Sequence, residues 1–216
     1  MWTQWLDAIR GLLQFLSSDV GLGAGLGIVA LTVLFRGALL PISWPTAYRG
    51  IVRQKKMKLL QPALQRMKEK FSNQPQVYAE QMLKLYRKHD LTPLDARGLL
   101  GGLAQMPVFL GVYQTLRDGA NGARFLWVQS LSRPDVWLAL IAGLTTMLMM
   151  AANPDLPESM RLLIIVIPSI LAFLVALKFC SALAVYWTAS NCFSALQTSA
   201  LHWMVAHRIR SGTLKI

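Results

Sequence analysis

The chain has 216 residues, 54% of them hydrophobic and 15% charged, with a mean hydropathy of +0.42. That balance excludes an ordinary soluble domain, whose polar surface must face water, and points to the bilayer as solvent. A formal net charge of +12 would suggest nucleic acid in a soluble protein, but in a membrane protein Lys and Arg first report topology, so DNA is not an expected partner.

Residues 1–19 place Trp2, Trp5, Ile9, Leu12 and Leu16 at helical steps with polar residues between them. This pattern predicts an amphipathic helix lying at the membrane interface. The stretch lacks the basic start, apolar run and small-residue cleavage site of a secretory signal. Residues 20–45 follow as a first predicted span, apolar from Val20 to Ile42 except for Thr32 and Arg36, and closed by Pro41 and Pro45.

Residues 46–96 return to helical spacing, with Met57, Leu60, Leu64, Met67 and Phe71 before Asn73-Gln74-Pro75 and Tyr78, Met82 and Leu85 after it. Two amphipathic helices around a turn predict a helical hairpin, and Pro62 is expected to start a new helix or kink the first arm. Twelve of the 22 Lys and Arg lie between Arg49 and Arg97, against only Glu69, Glu80, Asp90 and Asp95, so this hairpin should be cytoplasmic. Its basic face, represented by Lys55, Lys56, Lys58, Arg66, Lys68 and Lys70, has three readings: ribosomal RNA, anionic lipid headgroups, or a solvated helical pair obeying the positive-inside rule.

Further spans are predicted at 97–117, 136–152, 162–179 and 181–203, joined by an outer connection (118–135), a short cytoplasmic loop (153–161) and a tight turn near Cys180, with a basic cytoplasmic tail at 204–216. The predicted fold is therefore an all-α integral membrane protein with five transmembrane helices, the amino terminus outside and the carboxyl terminus inside. That topology puts sixteen basic residues inside and five outside, with Arg36 in a span. Five spans do not divide into equal inverted halves, which counts against a transporter.

Arg36 is the residue with most to explain. It lies about 7 to 8 Å from the inner end of its span, where an arginine costs at least about 2.5 to 3.5 kcal/mol. Snorkelling or a bond to a carbonyl is the bland account; a water-filled cavity presenting positive charge to a substrate is the functional one. No Asp or Glu occurs in any predicted span, so water, carbonyls or a transient acidic visitor must offset the charge. Thr32, Gln105, Thr145, Thr146, Thr188, Asn191 and Thr198 add polar groups to the spans. For any one hydroxyl, interhelical bonding is the simpler reading; Asn191 and Gln105 are costlier to bury and better fit a hydrated groove.

Cys180 and Cys192 are about 18 Å apart along one predicted helix and cannot pair. No cluster has metal-ligand spacing, and no nucleophile and base arrangement or nucleotide loop is present, so no enzyme, metal or cofactor is expected.

The runs LTVLFRGALLPIS (Leu31 to Ser43), LYRKHDLTPL (Leu85 to Leu94), QMPVFLGVYQTL (Gln105 to Leu116), FLWVQSLSRPD (Phe125 to Asp135) and VYWTASNCFSALQ (Val185 to Gln197) together resemble the YidC/Oxa/Alb membrane protein insertases, in the expected order through nearly the whole chain. The resemblance implies a hydrophilic groove open to the inner half of a bacterial inner membrane, with Arg36, Thr32 and Gln105 on the groove and Tyr186 and Trp187 on the helix along which a client slides. It implies newly made membrane proteins as clients, with lipid, ribosome and translocon as partners, and places Trp127 on the outer face. The turn at Cys180 to Ala182 departs from the family's Pro-Ser/Ala-Gly pattern. A holding chaperone for membrane-complex assembly and a small-solute channel or permease are the alternatives.

Overall fold

The computed structural model describes residues 1–91, 106–119 and 123–214. Among them the secondary structure is helical, with a single isolated bridge between Phe125 and Val128. In chain order the helices are α1 (Trp2–Gln14), α2 (Gly23–Ala38), α3 (Leu40–Lys70), α4 (Pro75–Lys88), α5 (Met106–Gly119), α6 (Val136–Ala151), α7 (Arg161–Ala176) and α8 (Ser181–Arg210). A π-helical turn, Phe15–Asp19, follows α1, and a 3-10 turn, Glu158–Met160, precedes α7.

The chain forms two compact units. The first comprises Met1–Ile42 and Ala104–Ser199. Its core gathers Ile9, Leu16, Ile28, Leu31, Val112, Leu116, Leu131, Leu138 and Leu183, drawn from α1, the π turn, α2, α5, the outer connection, α6 and α8. The apolar stripe expected to rest on the membrane interface is largely taken by protein: a Cβ on Gly111 of α5 would lie 2.6 Å from Trp5 Nε1 and 2.8 Å from Ile9 Cδ1. Trp5 also meets Phe35 of α2, with ring centroids 5.7 Å apart. Amphipathicity sets which face is buried and leaves open what buries it. Helices α6 and α7 approach closely at Gly143, where a Cβ would lie 3.1 Å from both Phe173 Cβ and the Ser169 carbonyl oxygen; small residues at such crossings let helix backbones approach.

The other faces of α6 and α7 carry exposed apolar side chains, among them Trp137, Leu144 and Leu148 on the first and Leu162, Ile167 and Leu171 on the second. Among the described residues no single helix is both long and apolar enough to cross a membrane; α2 and α3 together pass that test as a bent pair. The single helix expected over 20–45 is thus broken at Leu39. Pro41 has no N–H to offer the Gly37 carbonyl and its ring crowds the preceding turn. Helices α6 and α7 are apolar but have 16 residues each, about 24 Å of helix against a hydrocarbon core of about 30 Å.

The second unit comprises Ser43–Leu103 and Ala200–Ile216. Within it α3 runs without a break through Pro45 and Pro62, so Pro62 begins no new helix. Ile51, Leu201 and Val205 form a small core with Trp44, Tyr48, Val52 and Met204. Arg208 lies over the Tyr48 ring at 5.4 Å and donates to its hydroxyl at 3.2 Å. The predicted tail is helical as far as Arg210, because α8 continues past residue 203. At the hairpin tip Pro75 occupies the first turn of α4, where its missing N–H costs nothing. The helix ends in a Schellman arrangement: Leu91 N–H donates to Tyr86 O at 2.8 Å and Asp90 N–H to Arg87 O at 3.2 Å, with Asp90 at φ 54°.

Candidate functional site

Arg36 sits in the last turn of α2, half-buried. Its Nε donates to Ser190 Oγ at 3.0 Å, and its Nη2 donates to the same oxygen. Tyr186 stands one turn earlier on α8, close to both Ser190 and Arg36. Ser190 and Tyr186 are both 5% exposed, and the Tyr186 ring meets Phe109 of α5 at 6.2 Å. The guanidinium is thus met by the Ser190 hydroxyl of α8, and the sequences of α2, α6, α7 and α8 contain no Asp or Glu.

The remaining candidates divide. Thr32, 1% exposed, donates its hydroxyl to the Ile28 carbonyl of its own helix at 2.7 Å, the usual way a threonine satisfies itself inside a helix. Asn191 turns toward α6 and donates from Nδ2 to Thr146 Oγ1 at 2.8 Å; Thr146 in turn donates to Ala142 O at 2.7 Å. Both are buried, so Asn191 braces α8 against α6. The buried Thr188 Oγ1 has no hydrogen-bond partner among the described residues. Trp187 is half-buried. Gln105 lies outside the described residues, as do 97–104 of the span expected over 97–117.

The sequence alone does not single out Ser190. Serine is cheap to bury, and one among several small residues in Ala184–Ser194 carries little signal. The available clue was spacing: Ser190 is four residues after Tyr186 and so on the same face of α8.

At the opposite end of α8, the altered turn is held by the outer connection. The N–H groups of Ser181 and Ala182 donate to the carbonyls of Arg133 and Leu131, each at 3.0 Å, and Ser181 Oγ donates to Arg133 O at 2.5 Å. Helix α8 therefore begins with its first donors satisfied without the proline and glycine of the family pattern. Trp127 is 48% exposed and donates from Nε1 to Asp135 Oδ1 at 3.2 Å, while the same carboxylate oxygen caps α6 by accepting from Leu138 N–H at 2.8 Å. In the second unit Lys58, Arg66, Lys68 and Lys70 are exposed, and Lys55 and Lys56 are half-exposed.

Residues 15–208 match the family described as 60Kd inner membrane protein. The chain belongs to this family. The stretch covers α2 and its arginine, the hairpin, the outer connection and nearly all of α8, so the resemblance to the YidC/Oxa/Alb insertases holds along the chain. Relatives named "Membrane protein insertase YidC" from Pseudomonas putida (strain GB-1), Pseudomonas entomophila (strain L48) and Pseudomonas fluorescens (strain Pf0-1) are each 32% identical over 209 residues, covering 94% of this chain. The chain spans 35% of the length of these relatives.

Proposed function

We propose that this family member inserts newly made proteins into the bacterial inner membrane, as a multi-pass protein with its amino terminus outside and its carboxyl terminus inside. The observation that carries the reading is Arg36: a cation half-buried in an apolar helical unit, bonded to the Ser190 hydroxyl of α8 in a set of helices without carboxylates. Holding a charge there is costly, and the cost is understandable where that charge does work on something passing by.

In the proposed mechanism Arg36, with Gln105, Tyr186, Trp187 and Thr188, borders a hydrated path in the inner leaflet; Thr32 and Asn191 hold the helices that frame it. A client's short polar tail meets this positively charged path in place of bare hydrocarbon, and the barrier falls without any bond being broken. The client's apolar segment then leaves along α8 into lipid and gains burial. An acidic tail moving outward gains about 2.3 kcal/mol per charge per 100 mV of membrane potential. The exposed bases of the hairpin, Lys58, Arg66, Lys68 and Lys70 with Lys55 and Lys56, receive clients from the cytoplasmic side and meet the ribosome, translocon or headgroups. No cofactor is required.

The test is insertion of a short single-spanning client with an acidic outward tail into liposomes carrying this protein, scored by protease protection beside empty liposomes and Arg36→Ala. Protection well above empty liposomes, lost in the variant, is the expected result. Insertion no better than empty liposomes by a folded protein would refute the reading. A stably copurified subunit together with indifference to Arg36 would favour a holding chaperone, and solute flux without clients a permease.

A further inference from the structure

The outer connection contains a tight corner. The Val128 N–H donates to the Phe125 carbonyl at 2.8 Å and the Phe125 N–H to the Val128 carbonyl at 3.1 Å, so Leu126 and Trp127 are the two residues of the turn between them. The flanking pair faces inward: Val128 is buried, and the Phe125 side chain lies against Gly25 of α2. The corner pair faces outward, with Leu126 72% exposed. Leu126 has φ 50°, the left-handed conformation that such turns require at their first corner and that Gly, Asn or Asp usually supplies. A leucine there is strained, and what it adds over those residues is a branched apolar side chain held away from the protein.

Trp127 is turned to the same use. Its Nε1 is satisfied within the protein by Asp135 Oδ1, so what the indole leaves exposed is hydrocarbon. The same oxygen caps α6, which sets the corner at the start of that helix, where Val136 and Trp137 are also exposed. Trp137 opens the exposed apolar stripe of α6 that continues through Leu140, Leu144 and Leu148, so the corner extends this stripe past the end of its helix. The Leu131 N–H donates to the Ala123 carbonyl at 2.8 Å and brings the two sides of the corner together; each side carries an exposed arginine, Arg124 or Arg133, and the sequence from Ala123 to Pro134 contains no acid. An apolar tip rimmed by cations matches a lipid interface, with acyl chains below and anionic phosphates above. We propose that Leu126 and Trp127 are a membrane anchor: the corner dips into the outer leaflet, its two side chains among the upper acyl chains and Arg124 and Arg133 against anionic headgroups. This rests on the topology proposed above, which puts the connection outside.

The experiment places an environment-sensitive fluorophore on the full chain at Leu126→Cys, at Val136→Cys beside it, or at Gln129→Cys, an exposed polar position of the same connection, each combined with Cys180→Ser and Cys192→Ser. Liposomes of phosphatidylcholine and phosphatidylglycerol carry nitroxides in the headgroup or along the acyl chain, and iodide is the aqueous quencher. The labels at Leu126→Cys and Val136→Cys should be quenched by upper acyl-chain nitroxides and shielded from iodide, and the label at Gln129→Cys the reverse; two apolar positions keep the test open if one variant folds poorly. Both leaflets are alike in such liposomes, so the depth read does not depend on the direction of reconstitution. Nitroxide-labelled phosphatidylglycerol should quench more than its phosphatidylcholine counterpart, by up to about fivefold for each arginine, and Arg124→Gln with Arg133→Gln should abolish the preference. Iodide reaching the Leu126→Cys and Val136→Cys labels as readily as the Gln129→Cys label would overturn the anchor and leave the topology standing. Shielding from iodide and lipid alike would overturn it in favour of a protein cover, and equal quenching by the two lipids would overturn the part given to the arginines. In spheroplasts, reaction of Gln129→Cys with an impermeant thiol reagent from outside supports the topology; reaction only after the membrane is opened refutes it, and with it the placement of the corner in the outer leaflet.

Discussion

Replacing Gly25 by alanine tests how the outer connection is held against α2. A Cβ at that position would lie 1.9 Å from Phe125 Cδ2, 2.1 Å from Cγ and 2.6 Å from Cβ. The closest approach is about 1.6 Å short of ordinary carbon contact. Rotation about the side-chain bonds of Phe125 can move its ring but not its Cβ, so the backbone of the connection or of α2 must shift. Overpacking of this kind costs about 1 to 3 kcal/mol, and because backbone has to yield we expect the middle to upper part of that range for Gly25→Ala. For a chain of this length 2 kcal/mol corresponds to a fall of about 4 to 8 °C in Tm, measured by thermal unfolding in a mild detergent. Phe125→Ala in the same chain should recover part of the loss and Phe125→Gly more of it, since only glycine removes the Cβ. A Gly25→Ala variant that melts within 1 °C of wild type would refute the argument, as would a double variant no better than the single.

Two further predictions concern the hairpin. Asp90 holds the left-handed position that closes α4, so Asp90→Val should weaken protection of the last-turn amides in hydrogen exchange by about 1 to 2 kcal/mol, while Asp90→Gly should keep or raise it. Glu80 lies 2.7 Å from Lys84, whose hydrogen bond first and charge second hold the Glu80 carboxyl below the usual glutamate range. A lowered folded value means that the pair's contribution is complete above the ordinary glutamate pKa and is lost as pH falls through the lower folded value. A carboxyl carbon-13 titration of Glu80 in the whole chain should show that lowered midpoint, and Lys84→Gln should return it to the ordinary range; a midpoint unmoved by the substitution would contradict the assignment.

The sequence made some features plain because local chemistry decides them. The apolar run from Val136 placed the start of a helix at 136, and α6 begins there with Asp135 as its cap. Asn73-Gln74-Pro75 placed the turn of the hairpin, and α4 begins at Pro75. Elsewhere polarity and backbone part company. Helices α3 and α8 pass from apolar to basic composition without interruption, so boundaries drawn at 45 and 203 from hydropathy cut through continuous helix. Pro62 looked like a breaker, yet α3 accommodates it. At the site, Arg36 stood out through its charge and Tyr186 through the family resemblance, but Ser190 did not, since only the packing of α2 on α8 brings it to the arginine. Asn191, costly to bury and so expected to face a hydrated groove, is instead buried with its amide bonded to Thr146 of α6.

The π-helical turn Phe15–Asp19 has a consequence for how chain length can vary. A π turn holds one residue more than the α turn it replaces. In a regular helix, removing a residue turns everything before it by about 100° relative to everything after, which would take Trp5 and Ile9 away from Gly111. Here the surplus residue already sits in the turn, and its deletion leaves ordinary α-helix with α1 still facing α5. Single-residue length differences among relatives should accordingly collect at this turn, where the register of α1 survives them.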